Sequence, residues 1–158
     1  MKKIKNFKFQ DKTYPQYEKD GVKQVFHNDR YYDSIKLRFI CDNVNRANGR
    51  NNHNPKWPNK VSIFYIYELG EKQNWRCAYT NVEFEFERGG KIFQNKNANP
   101  RSMTIDRIDP RETYKEDNIQ LLTHAINTWK SDWTEKNLVR YSLKFLKSYF
   151  FSKIKSVF

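Results

Sequence analysis

The sequence predicts an α+β fold: a strand–loop–strand–helix unit flanked by an N-terminal and a C-terminal helix and by a small extra β-hairpin. Three observations carry that expectation. From Thr104 to Asp132 (TIDRIDPRETYKEDNIQLLTHAINTWKSD) two short strand-like runs bracket a polar loop and lead into a helical run. Before and after this stretch, apolar residues recur at helical spacing. Between them, Val82, Phe84 and Phe86 alternate with Glu83, Glu85 and Glu87 ahead of Gly89-Gly90, the pattern of a hairpin with one acidic face.

Taken in order, residues 1–30 offer only brief alternations such as Phe7-Lys8-Phe9, broken by Pro15 and Gly21, and read as loop with a small hairpin at most. A helix is expected to start at Asp33 or Ser34, either of which can cap it, and to stop at Gly49. Ile35, Phe39, Ile40, Val44 and Ala47 are its apolar positions. The segment Arg50 to Lys60 (RNNHNPKWPNK), with two prolines and four asparagines, reads as loop. Ser62 is expected to cap a second helix through Ile63, Ile66, Tyr67 and Glu71, ending before Asn74, with Gly70 a weak helix former inside it. The acidic hairpin returns through Lys91-Ile92-Phe93, and residues 94–100 form a polar loop. A strand Ser102–Asp109, a loop Pro110–Asp117 and a strand Ile119–Leu122 follow. Thr123 is placed to cap a short helix carrying Asn127 and Lys130. Asp132–Thr134 breaks it, and a last helix runs from Glu135 to Lys153 with Leu138, Tyr141, Phe145 and Tyr149 along one face. The divisions are a basic N-terminal loop and helical layer (1–67), the strand–loop–strand–helix unit (68–134) and a basic C-terminal helix (135–158), all within one domain.

Composition narrows the function. The chain has 158 residues, and its 16 % aromatic content implies a core built largely from rings. No apolar run approaches the roughly 18–20 residues that span a bilayer, so no membrane role is expected. The start, MKKIKNFKFQ, lacks the apolar stretch of a secretory signal. Cys41 and Cys77 form no CxxC pair and no disulfide framework, which suits a soluble protein of a reducing compartment. Thirty Lys+Arg against 18 Asp+Glu give a net charge of +12, the footprint of a protein that meets a polyanion. The stretch Asn43–Tyr67 contains Arg46, Arg50, Lys56 and Lys60 but no acid. After Glu135 come only Lys136, Arg140, Lys144, Lys147, Lys153 and Lys155 among the charged residues. Tyr and Trp lie among these cations, a mixture that suits nucleic acid.

A carboxylate at the end of a first strand and an amide on the following helix can converge on one ion. Asp106 and Asn127 occupy those places, and oxygen ligands of this kind suit Mg²⁺ or Mn²⁺.

Cys77-Ala78-Tyr79-Thr80-Asn81, Ile105-Asp106-Arg107-Ile108-Asp109, Tyr114, Asp117-Asn118-Ile119-Gln120-Leu121-Leu122 and Asn127 through Asp132 together resemble the HNH (His-Me finger, ββα-metal) endonucleases, particularly phage-type members. Those carry a Cys-x-x-Thr-Gly segment, a Leu-Asp-Arg-Ile-Asp strand and an Asn-x-x-x-Val-x-x-x-x-Asn helix approach. The resemblance covers residues 68–140. It implies a ββα-metal unit, hydrolysis of DNA phosphodiester bonds, one divalent ion held by Asp106 and Asn127, and a bacterial or phage-infected cytoplasm. It further implies that Asn118 ties the loop between the strands by side-chain hydrogen bonds and that Lys130 contacts phosphate, with Arg101, Arg111, Lys144 and Lys147 as further nucleic-acid contacts. The active pattern has His, the general base, after the metal-binding Asp; here that residue is Arg107, which stays protonated and clamps phosphate instead. Asp109 and His124 are the substitute bases. Relatives with paired Cys-x-x-Cys motifs hold a structural zinc; Thr80 stands where the partner of Cys77 would be, so none is expected. The leading expectation is therefore a metal-dependent HNH-type endonuclease. The alternatives are a nucleic-acid-binding protein on the same fold that has lost hydrolysis, or an interaction protein that meets an acidic partner.

Overall fold

The computed structural model describes residues 1–52, 61–86 and 99–155, the side chains of 51–52 and 153–155 excepted. It is a mixed α+β fold with a four-stranded antiparallel sheet and four helices. The expected turn at Gly89-Gly90, its return through Lys91-Ile92-Phe93, most of the 94–100 loop, and His53, Lys56 and Lys60 lie outside the described residues.

The largest departure from the sequence reading is at the N-terminus. Residues 2–33 are not loop but a meander of four strands, β1 (Lys2–Phe9), β2 (Lys12–Lys19), β3 (Val22–His27) and β4 (Arg30–Asp33), in the order β1-β2-β3-β4. Two-residue turns join them. Asp20-Gly21 and Asn28-Asp29 have positive φ at both positions (52° and 77°, 46° and 57°), the geometry whose twist matches paired strands. Pro15 is accommodated because the β1–β2 register is irregular between Lys3 and Asn6, and Pro15 lies opposite Asn6 at that irregularity. Gln16, Val25 and Tyr32 line up across the sheet on its buried face.

Helix α1 (Ser34–Asn52) crosses that face. Asp33 is its cap: Oδ1 accepts from the amides of Ile35 (2.7 Å) and Lys36 (3.1 Å). The helix runs past Gly49, which has no positive φ and so does not stop it. Its buried face is Leu37, Ile40, Cys41, Val44 and Ala47; Ile35 is exposed. Helix α2 (Ile63–Lys72) begins as expected, with the Ser62 hydroxyl accepting from the Phe64 amide. Gly70 is where Trp75 closes on the helix: a Cβ there would lie 2.2 Å from the indole. Rings join the layers. Phe64 meets Tyr14 edge-on, stacks on His27 at 4.0 Å, and packs on Tyr32.

Beyond α2, Asn74 and Trp75 turn the chain with positive φ, and only bridges at Glu83 and Glu85 appear before residue 87. Strands β5 (Met103–Arg107) and β6 (Ile119–Thr123) pair antiparallel with Asp106 opposite Gln120. Gln73 clasps β6 from α2, bonding both the amide and the carbonyl of Leu121 at 3.0 Å. Helix α3 (His124–Lys130) follows at once and packs on both strands. Thr123 precedes it but makes no capping bond; its hydroxyl lies 3.9 Å from the Cys77 sulfur instead. One continuous core runs from Phe7 to Leu122, and α1 touches both the sheet and β5. Helix α4 (Glu135–Lys155) stands apart. Leu138 is buried, but Tyr141, Phe145 and Tyr149, expected beside it on a packed face, are exposed.

Candidate functional site

Asp106, Arg107 and Asn127 line one open cleft of about 370 Å³ together with Arg50, Pro110, Tyr114, Ser131 and Asp132. Strand alternation explains how. Met103 and Ile105 point into the core, so Thr104 and Asp106 point towards α3. Asn127 comes from α3 and donates from Nδ2 to the Thr104 hydroxyl at 2.9 Å.

Tyr114, almost fully buried, is the platform of the cleft. The guanidinium of Arg107 lies 5.2 Å from its ring centre and that of Arg50 5.8 Å, while Arg50 also donates to its hydroxyl. Tyr114 thus holds both guanidiniums in the same cleft, Arg50 through its hydroxyl and Arg107 through its ring. Arg107 also pairs with Asp132 at 3.1 Å, a carboxylate whose side chain is 83 % exposed.

Lys130 was expected to face phosphate. It does not: its side chain is 0 % exposed, beneath the cleft. Its ammonium lies 3.0 Å from Oδ2 and 3.2 Å from Oδ1 of Asp106 and donates to the Arg107 carbonyl at 2.9 Å. The reason is its place at the very end of α3. Ser131, with φ of 48°, turns the chain away, and its amide bonds back to the Asn127 carbonyl, so the Lys130 stem runs under the end of β5. Gln120 adds a second donor to Asp106, Nε2 to Oδ2 at 3.0 Å, and the same nitrogen meets the Tyr79 hydroxyl at 2.9 Å.

These contacts bear on a divalent ion. As arranged, Asp106 does not fit one: both its carboxylate oxygens face the Lys130 ammonium, and Oδ2 also accepts from Gln120 Nε2.

Asn118 lies behind the cleft, 5 % exposed, and braces the loop between β5 and β6. Its Oδ1 accepts from the Asp109 amide at 2.8 Å, and its Nδ2 donates to the carbonyls of Asp109 and Thr113, both at 3.0 Å. The other sequence-derived candidates sit elsewhere. Asp109 follows β5 and is held by the Arg111 guanidinium at 2.7 and 3.0 Å, which keeps its carboxyl down at about 2. Neither it nor His124, at the first turn of α3, lines the cleft. Arg101 pairs with Glu85 at 2.8 Å. Lys144 and Lys147 lie over the rings of Tyr141 and Phe151 on α4. In the turn at Cys77, Asn81 adopts φ of 57°, a left-handed backbone that Asn takes up more readily than most residues. Burial raises the Cys77 thiol's pKa, but hydrogen bonds from Thr80, Thr123 and Tyr79 outweigh it and leave the value lowered.

Three residues of this arrangement had no assigned role from sequence. Arg50 carried a signal, as a cation in an acid-free stretch. Gln120 and Asp132 carried none beyond strand alternation and the motif's last position. Comparison with protein-family models, with curated proteins and with solved structures finds no match, so the site's own geometry carries the functional reading.

Proposed function

We propose that the cleft seats a nucleic-acid phosphodiester, DNA most of all, on an HNH-like strand–loop–strand–helix unit, and that binding rather than hydrolysis is its principal work. The observation that carries this reading is the pair of guanidiniums, Arg50 and Arg107, 5.8 and 5.2 Å from the Tyr114 ring centre and both lining one open cleft, Arg50 at the ring's hydroxyl. Planar guanidiniums present paired donors that match phosphate oxygens. The exposed Asp132 carboxylate is a weak competitor, since such a surface pair is worth only about 0–1 kcal/mol. A phosphate therefore displaces Asp132 from Arg107 at small cost.

Hydrolysis is the second reading, and one observation favours it: Asp106 and Asn127, from strand and helix, line the same cleft. It requires Lys130 to leave Asp106 and a group other than Arg107 to take the proton.

Fluorescence anisotropy with labelled duplex DNA over a series of salt concentrations tests the first reading. Each phosphate contact contributes a slope of about −0.9 in log K against log salt, so Arg50→Ala and Arg107→Ala should each flatten the slope by about that amount. Unchanged slopes in both variants would show that phosphate docks elsewhere. Supercoiled plasmid with Mg²⁺ or Mn²⁺ separates the second reading: nicking that EDTA and Asp106→Ala both abolish establishes hydrolysis.

A further inference from the structure

We propose that Lys130 is a built-in cation: its ammonium takes the place at Asp106 that the HNH resemblance assigns to a divalent ion. The cleft then keeps its charge balance without metal. The inference rests on the phosphodiester reading above for its purpose, but not for its geometry.

Three features support it. The ammonium is shared between both oxygens of one carboxylate and the Arg107 carbonyl, so all three of its protons have acceptors within 3.2 Å. Lys130 is 0 % and Asp106 5 % exposed, which makes this a desolvated pair. A buried ammonium is tolerated only when paired, so it has no neighbouring place to go should another cation arrive. Finally, the cation is tethered in place: Lys130 ends α3, where a positive charge also suits the helix C-terminus, and the turn at Ser131 fixes its backbone.

The consequence is electrostatic. A divalent ion approaching Asp106 meets a like charge already at its carboxylate, which disfavours entry. Asp106 and Lys130 cancel, and the attraction for phosphate falls to Arg50 and Arg107.

The test uses the full chain. ¹⁵N-labelled protein is titrated with Mn²⁺ while the Lys130 ammonium resonance, assigned through Lys130→Arg, is followed by NMR. Bound Mn²⁺ is counted in parallel in the wild type and in Asp106→Asn. The expected result is a slowly exchanging ammonium signal that Mn²⁺ leaves sharp, with no difference in bound Mn²⁺ between the two proteins. Duplex affinity at constant ionic strength should agree within about twofold between EDTA and Mg²⁺. Lys130→Ala should gain one bound Mn²⁺ that the double variant with Asp106→Asn lacks. One Mn²⁺ bound by the wild type and lost in Asp106→Asn overturns the proposal, as does duplex binding that EDTA removes. The comparison of wild type with Asp106→Asn decides even if Lys130→Ala does not fold. A protein that binds no DNA in either buffer refutes the phosphodiester reading, and the Mn²⁺ count then decides the role of Lys130 by itself.

Discussion

Asn118→Ala removes a side chain that braces the loop between β5 and β6 from within. Three hydrogen bonds go with it, at 2.8, 3.0 and 3.0 Å. A neutral hydrogen bond contributes about 1 kcal/mol net, so the loss is about 3 kcal/mol. Water reaches the partly exposed Asp109 and relieves part of that cost. For a domain of this length that loss corresponds to a fall in Tm of about 6–12 °C. Urea denaturation at unchanged m value measures it, with Asp117→Ala as the neighbouring control. The Asp117 side chain is exposed and touches only Lys115, at 3.5 Å, so the control should stay within about 0.5 kcal/mol. Asn118→Asp keeps the acceptor but replaces the nitrogen that makes both donations with an oxygen facing two carbonyls, and should be at least as damaging as alanine. A loss below about 1 kcal/mol in Asn118→Ala would refute the bracing role.

Two further predictions rest on single contacts. Gly70→Ala puts a Cβ 2.2 Å from the Trp75 ring and should cost about 1–3 kcal/mol in urea denaturation; a neutral result would mean that Trp75 is not packed on α2. Arg111→Ala should return the Asp109 carboxyl from about 2 towards the ordinary value near 4, read by NMR titration. Because the folded value lies below the unfolded one, the pair supports the fold above about pH 4, and that support fades as pH falls through about 2. An Asp109 titration unchanged in the variant would place the cause elsewhere.

Helix positions were legible because their signals are local. Ser62 ahead of an apolar run marks α2, and the carboxylate of Asp33 reaches its own helix's first amides. The two strands of the β5–β6 pair were equally open, since the apolar residues of a half-buried strand alternate, although β5 ends at Arg107 rather than Asp109. The N-terminal sheet was missed because its outer face is Lys, Gln and Tyr, so strand alternation is faint there. The signal that could have found it was turn chemistry: Asp20-Gly21 and Asn28-Asp29 are dipeptides suited to positive φ. Gly49 misled in the opposite sense, because a glycine ends a helix only when it takes up a left-handed backbone. Lys130 was misplaced for a different reason. Lysine is almost never fully buried, so any reading from residue type sends it to the surface; only its distance to Asp106 reverses that.

Arg107 and Lys130 depart from a hydrolytic site in the same direction, and that agreement is more informative than either change. A general base is needed only where a water is to be activated, and a divalent ion serves the same step. On the resemblance, Arg107 stands where the base is expected and the Lys130 ammonium where the ion is expected, so our proposal puts fixed positive charge in both places. Had only the base been lost, Asp106 would still face the cleft unpaired; had only the ion been replaced, an imidazole would remain beside it. Around these two cations Asn118 braces the loop, Asn127 ties α3 to Thr104, and Tyr114 contacts both guanidiniums. Three cations held against the two carboxylates of Asp106 and Asp132 leave the cleft a net positive charge, and that charge is our ground for proposing binding ahead of cleavage.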